Sequence, residues 1–243
     1  MATLSVNGFE MYYEIHGEGS PLLVLHGFTG SGADLVPLFH PMTQKHQLII
    51  PDLRGHGRST NPSKQFTFRQ AADDIFLLLK HLDIHQCSAV GFSGGGCLLL
   101  QLAIKHPALL SSMVLISATP YFPEQAKDLM QQFKMAKRTK EEWEGMRKIH
   151  LQGDEQIELI WQQAGSLSEN DDDMNLTSSD LSKIKTKTLI MQGDRDPLYP
   201  VEVSIEMYRS MPNSSLWIVP NGGHVPLSGN TIQEFMNYLN HFL

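Results

Sequence analysis

The chain has 243 residues, 41% hydrophobic and 19% charged, an ordinary globular composition that excludes a fibrous or disordered protein. A chain of this length can still hold one large domain around a single core. A formal net charge of −7 leaves no basic face for phosphate backbones or an anionic membrane surface, so neither nucleic acid nor membrane is expected as a partner.

The first eight residues show neither a basic nor an apolar leader pattern, and no apolar run approaches the roughly 18 residues that span a bilayer. A cytoplasmic location is the expectation. Residues 3–7 and 9–15 alternate around Asn7-Gly8, a two-residue hairpin signal, so the sheet should open with an antiparallel pair. Short runs rich in Val, Ile and Leu follow at 22–25, 48–50, 88–90, 113–116, 188–191 and 216–219. Each is followed by turn-forming residues, as buried parallel strands are.

Helical periodicity fills the gaps between these runs. Thr67 reads as the N-cap of a helix to residue 82, with Ala71, Ile75, Leu78, Leu79 and Leu82 on one face. Further helices are predicted over 94–105, 201–211 and 231–242, the last burying Ile232, Phe235, Met236 and Leu239. Residues 120–185 break the rhythm: Pro120 and Pro123, charged amphipathic helices, then Asp171-Asp172-Asp173, with no strand run. The fold class is therefore α/β, a mostly parallel central sheet flanked by helices. Residues 1–119 and 186–243 form the core, and 120–185 is expected to be a helical lid without a core of its own.

Gly91-Phe92-Ser93-Gly94-Gly95 fits G-x-S-x-G and sits where a strand run gives way to a helical one. There a sharp turn lifts the serine hydroxyl clear of the sheet, and glycines let the chain cross itself. A serine hydroxyl needs a base near pH 7, and the base needs an orienting acid. His224 follows the last strand run and Asp196 follows the one before it. Both loops leave the sheet edge that presents Ser93, the edge where open α/β sheets bind ligands.

Other residues compete for these roles. Among 11 histidines, His81, His85, His106 and His241 fit exposed or helix-terminal positions. Asp194 is a rival acid, better suited to bracing its loop. His26 is read as a loop brace, and Arg54 and Arg58 as structural ties. Cys87 and Cys97 are expected to be reduced, Cys97 acting as a small buried hydrophobe.

Together these segments resemble the α/β-hydrolase superfamily. His26-Gly27-Phe28-Thr29-Gly30 resembles its oxyanion loop, and the segment from Asp52 to Ser59 its D-x-R-G-x-G-x-S loop. Gly193-Asp194-Arg195-Asp196 resembles the turn carrying the acid, and Asn221-Gly222-Gly223-His224 the histidine loop. The resemblance implies Ser93, Asp196 and His224 as catalytic residues, and the backbone N–H groups of Phe28 and Gly94 as the oxyanion hole. Two such donors are worth roughly 3 kcal/mol each. Many relatives place a histidine before the nucleophile, where this chain has Phe92.

A serine nucleophile excludes the alkyl-ester chemistry of aspartate-bearing relatives, so acyl transfer is the expectation, on a small-molecule ester or lactone without metal or cofactor. Carbon–carbon cleavage and cofactor-free peracid formation use nearly the same site and stay open. So does a ligand-sensing role on a hydrolase scaffold. Phe28, Phe92, Tyr121, Trp143, Trp161 and Val225 are the expected pocket residues, with Phe122, Met130, Phe133 and Met135 as further lid candidates.

Overall fold

The computed structural model describes residues 1–169 and 172–243; Asp171 of the acidic triplet lies outside them. Asn7 and Gly8 both take positive φ, +44° and +79°, as the two central residues of a tight hairpin must. They join β1 (Ala2–Val6) to β2 (Phe9–His16) as an antiparallel pair. The chain then alternates through β3 (Ser20–Leu25), α1 (Gly32–Phe39), β4 (His46–Pro51), α2 (Phe68–His81), β5 (Cys87–Phe92), α3 (Gly94–Lys105) and β6 (Leu110–Ile116). Among the described residues, four α-helices follow without a strand: α4 (Glu124–Met135), α5 (Lys140–Ile149), α6 (Asp154–Ser166) and the single-turn α7 (Ser178–Leu181). The chain closes with β7 (Lys187–Gly193), α8 (Val201–Ser210), β8 (Ser214–Val219) and α9 (Asn230–Phe242).

The strands form one eight-stranded sheet in the order β1-β2-β4-β3-β5-β6-β7-β8. It is parallel from β4 to β8, with β2 antiparallel to β4. Both faces are covered, which is why the strands read as continuous apolar runs. Alternate residues feed opposite cores. Leu22, Val24, Val90, Val114 and Ile116 pack with Leu35 and Phe39 of α1 and Phe235 and Leu239 of α9. Leu23, Leu25, Ala89, Met113 and Leu115 pack with Ile75 and Leu78 of α2, Leu98 and Leu102 of α3 and Met207 of α8.

Thr67 caps α2 as expected, its hydroxyl accepting the Gln70 N–H. On α9 the buried face is Phe235, Met236, Leu239 and Phe242, with Ile232 only partly covered. The short helix α1 carries Pro37, a residue that argues against a helix in the sequence pattern. Between β6 and β7, the buried Phe122, Ala126, Met130, Met174 and Leu181 join the same apolar cluster as α2 and α3, whereas α5 buries no residue. Both cysteines are buried and free, and burial pushes each thiol up to about 12. Among the described residues, no helix is long and apolar enough to cross a membrane.

Candidate active site

Ser93 is the single residue between β5 and α3, and it takes φ +49°, ψ −116°, a conformation that costs a non-glycine residue of order 1–3 kcal/mol. The adjacent strand β6 and the helix α3 hold it there. Its N–H donates to the Ile116 carbonyl at 2.7 Å, and its carbonyl accepts the Cys97 N–H at 3.0 Å. The turn is so tight that a Cβ at Gly91 would stand 2.6 Å from the Gly95 backbone, and one at Gly95 would stand 2.5 Å from the Leu25 carbonyl oxygen. This is the physical content of the G-x-S-x-G spacing.

The loops after β7 and β8 are tied together by Arg195 N–H donating to Gly222 O at 2.8 Å, and Asp194 N–H to Val219 O at 3.2 Å. This brings the acid loop against the histidine loop. His224 Nδ1–H donates to Asp196 Oδ2 at 2.8 Å, and Ser93 Oγ lies 2.9 Å from His224 Nε2. The sequence-predicted trio therefore forms one unbroken line of hydrogen bonds.

Asp194 does not reach His224; its carboxylate is partly exposed and 4.0 Å from Arg195. Asp196 is buried, and Gln192 also donates to its Oδ2 at 2.8 Å. The N–H groups of Leu198 and Tyr199 donate to its Oδ1. Burial raises the carboxyl pKa, but the His224 bond and these backbone donors outweigh it, and the net direction is down. Asp196 stays an anion beside the imidazole.

Phe28 and Gly94 also meet. A Cβ added to Gly94 would stand 3.0 Å from the Phe28 nitrogen, so the two backbones converge beside Ser93. The first-turn amide of α3 has no acceptor inside its own helix. His26 spans the neighbouring loops: its Nε2 accepts Leu53 N–H at 2.9 Å and its Nδ1 is bonded to the Gly27 carbonyl at 2.8 Å. The Asp52 loop is knitted into the fold. Asp52 accepts Gly32 N–H and Arg58 N–H, while buried Arg54 makes two 3.0 Å bonds to Asp74.

The Ser93 hydroxyl opens into a cavity of about 390 Å³. One wall is Phe28, Thr29, Gly94, Pro197, Leu198, Tyr199 and His224; the other is Leu129, Met130 and Phe133 of α4 with Ala164 and Leu167. Phe68 and Phe122 complete the lining, and among the described residues no Asp, Glu, Lys or Arg contributes to it. Phe28, Phe66, Phe68 and Phe122 form a chain of ring contacts beside it, at 4.9, 5.3 and 6.2 Å between centroids.

Several expected lining residues stand elsewhere. Trp143 and Trp161 pack edge-on against each other at 4.7 Å, with Arg147 and Arg138 over their rings, because α5 presents its aromatic to α6 rather than to the sheet. Tyr121 turns its hydroxyl to Glu206 at 2.8 Å. Met135 is exposed at the end of α4. Phe92 and Val225 lie behind the histidine, where they line a second apolar cavity of about 210 Å³ with Val24, Phe39 and Ile232. A strand alternates its side chains, so the residue before Ser93 points to the opposite face.

Three contributors escape motif reading. Gln192 supports the acid, and Ser204 donates to its Oε1 at 3.3 Å. Tyr199 sets its ring against His224 at 5.3 Å, and burial drives its phenol well above the ordinary range. Its place three residues after the acid was the available signal. His150 reaches the Phe28 loop from the end of α5, and nothing in its local sequence marks it. Among the described residues, no group of three or more His, Cys, Asp or Glu side chains is placed to hold a metal ion.

Comparison with known proteins fits this architecture. "Serine hydrolase BPHL" of Mus musculus is 29% identical over 236 residues, covering 92% of this chain and 79% of the relative. "Putative carbamate hydrolase RutD" of Pseudomonas syringae is 29% identical over 237 residues, covering 88% of this chain and 92% of the relative. Among solved structures, the meta-cleavage product hydrolase CumD of Pseudomonas fluorescens IP01 superposes with a TM-score of 0.80 at 20% identity, covering 100% of this chain and 97% of that one. The family model for the alpha/beta hydrolase fold matches residues 20–143, just over half of the sequence. The chain belongs to the alpha/beta hydrolase family.

Proposed function

We propose that the chain is a serine hydrolase that cleaves esters of neutral, apolar carboxylic acids through an acyl-enzyme on Ser93. The observation that carries this reading is the line Asp196–His224–Ser93, closed at 2.8 and 2.9 Å and opening into a cavity to which the described residues contribute no Asp, Glu, Lys or Arg. His224 Nε2 takes the hydroxyl proton as Ser93 Oγ attacks the acyl carbonyl. The N–H groups of Phe28 and Gly94 receive the developing oxyanion. His224 then gives the proton to the leaving alcohol and activates the water that releases the acid, while Asp196 holds the Nδ1–H tautomer.

The apolar lining that the described residues give the cavity supports the substrate class, since a buried ionised group without a partner is strongly disfavoured. The mouse relative's designation as a serine hydrolase and the bacterial relative's as a putative carbamate hydrolase are consistent with attack on a carbonyl. The test is turnover of p-nitrophenyl esters of graded chain length, with fluorophosphonate labelling of Ser93. Ser93→Ala should lower kcat by about 10³-fold or more with an unchanged melting temperature. Near-wild-type turnover in that variant refutes the assignment. Wild-type labelling without turnover of any ester or lactone favours a ligand-sensing role instead.

A further inference from the structure

His150 follows α5 and is buried, yet both of its ring nitrogens are occupied by backbone. Gly57 N–H donates to Nδ1 at 2.9 Å, and Nε2 lies 3.0 Å from the Thr29 carbonyl oxygen. An N–H can only donate and a carbonyl can only accept, so the two partners fix one species: neutral imidazole with its proton on Nε2. Burial lowers the pKa of this ring, and the bond to Thr29 opposes that shift only in part.

The accepting carbonyl belongs to the residue after Phe28. Thr29 is β-branched and sits at φ +73°, a region such residues rarely enter without outside support. On the upstream side of Phe28 the loop is held by His26; on the downstream side it is held by His150. The turn bearing His150 is itself fixed. Leu151 N–H donates to Gly57 O at 3.0 Å, and Gln156 Nε2 donates to the carbonyls of Gly55 and Gly57 at 3.1 Å.

We infer that His150 is a positioning residue for the oxyanion site: from the helical segment it holds the strained Thr29 backbone, and so aims the Phe28 N–H. This rests on the serine-hydrolase reading. It adds that the electrophilic half of the site is completed only when the 150–156 turn is docked on the loop of residues 55–59. The ring does not line the cavity, so its loss should affect the rate of the chemical step and leave substrate affinity nearly unchanged.

His150→Phe keeps a ring in the space and removes both nitrogens; His150→Gln restores one donor and one acceptor without an imidazole. With a p-nitrophenyl ester, His150→Phe should lower kcat about 10- to 100-fold with KM within about twofold, the scale set by a misaimed catalytic group. Fluorophosphonate labelling of Ser93 should slow in parallel, and His150→Gln should recover most of both rates. If His150→Phe does not fold, His150→Asn, whose shorter amide spans only one of the two partners, carries the same expectation. Wild-type kcat and labelling rate in the folded variants overturn the inference, as does a raised KM with kcat unchanged. A wild-type chain that takes no label overturns the serine-hydrolase reading and this one with it.

Discussion

The two walls of the cavity are built differently. On the sheet side, polar groups are fixed by main chain: Ser93 through Ile116 and Cys97, and Asp196 through Leu198 and Tyr199. On the helical side, Leu129, Met130, Phe133, Ala164 and Leu167 offer only apolar surface. Reacting atoms need placement within tenths of an ångström, which a hydrogen-bonded sheet edge provides. An acyl chain needs only volume and exclusion of water, which packed side chains provide. His150 is the one described contact by which the helical side grips the Thr29 carbonyl, and so the exception to this division.

That contrast predicts opposite kinetic signatures for the two walls. On the sheet side, Asp196→Asn should cost about 10⁴-fold in kcat with KM nearly unchanged, because the amide no longer holds the Nδ1–H tautomer of His224. Steady-state kinetics at fixed pH measures this, and a loss below tenfold would break the comparison. On the helical side, Phe133→Ala should lower kcat/KM about 3- to 30-fold for medium-chain esters through KM, and leave acetate esters unaffected. Smallest is the effect of a single methylene. Each one added to the acyl chain should raise kcat/KM about fourfold until the cavity is filled, the equivalent of about 0.8 kcal/mol of apolar burial. A flat chain-length profile would mean that the helical wall selects nothing.

The sheet-side wall was legible in the sequence and the helical wall much less so, for the same reason. Parallel strands are buried on both faces and sharply bounded, so the runs ending near Gly91, Gly193 and Val219 announce themselves, and the loops after them carry Ser93, Asp196 and His224. Which side of a surface helix faces a cavity depends on how that helix is docked. Met130 and Phe133 face it and Met135, on the same helix, does not. The tryptophans drew attention by size, but an aromatic pair can satisfy itself, as Trp143 and Trp161 do. His150 was invisible because its partners lie 93 and 121 residues away.

The tight packing around the start of α3 also bears on how the protein folds. Gly94-Gly95-Gly96 is forced by close approach, with a Cβ at Gly96 standing 2.6 Å from that of Ala118. Three glycines cost a helix about 3 kcal/mol relative to alanine, so this first turn has little reason to form alone. It becomes worthwhile only when Leu25 and Ala118 have arrived from β3 and from just beyond β6, contacts distant in sequence. The Ser93 turn should therefore be absent from the folding transition state, with φ-values near zero at Ala118 and near 0.5 or above at Leu98 and Leu102, read from chevron plots of conservative truncations. A chain arrested just short of its native state would have its sheet and no active site.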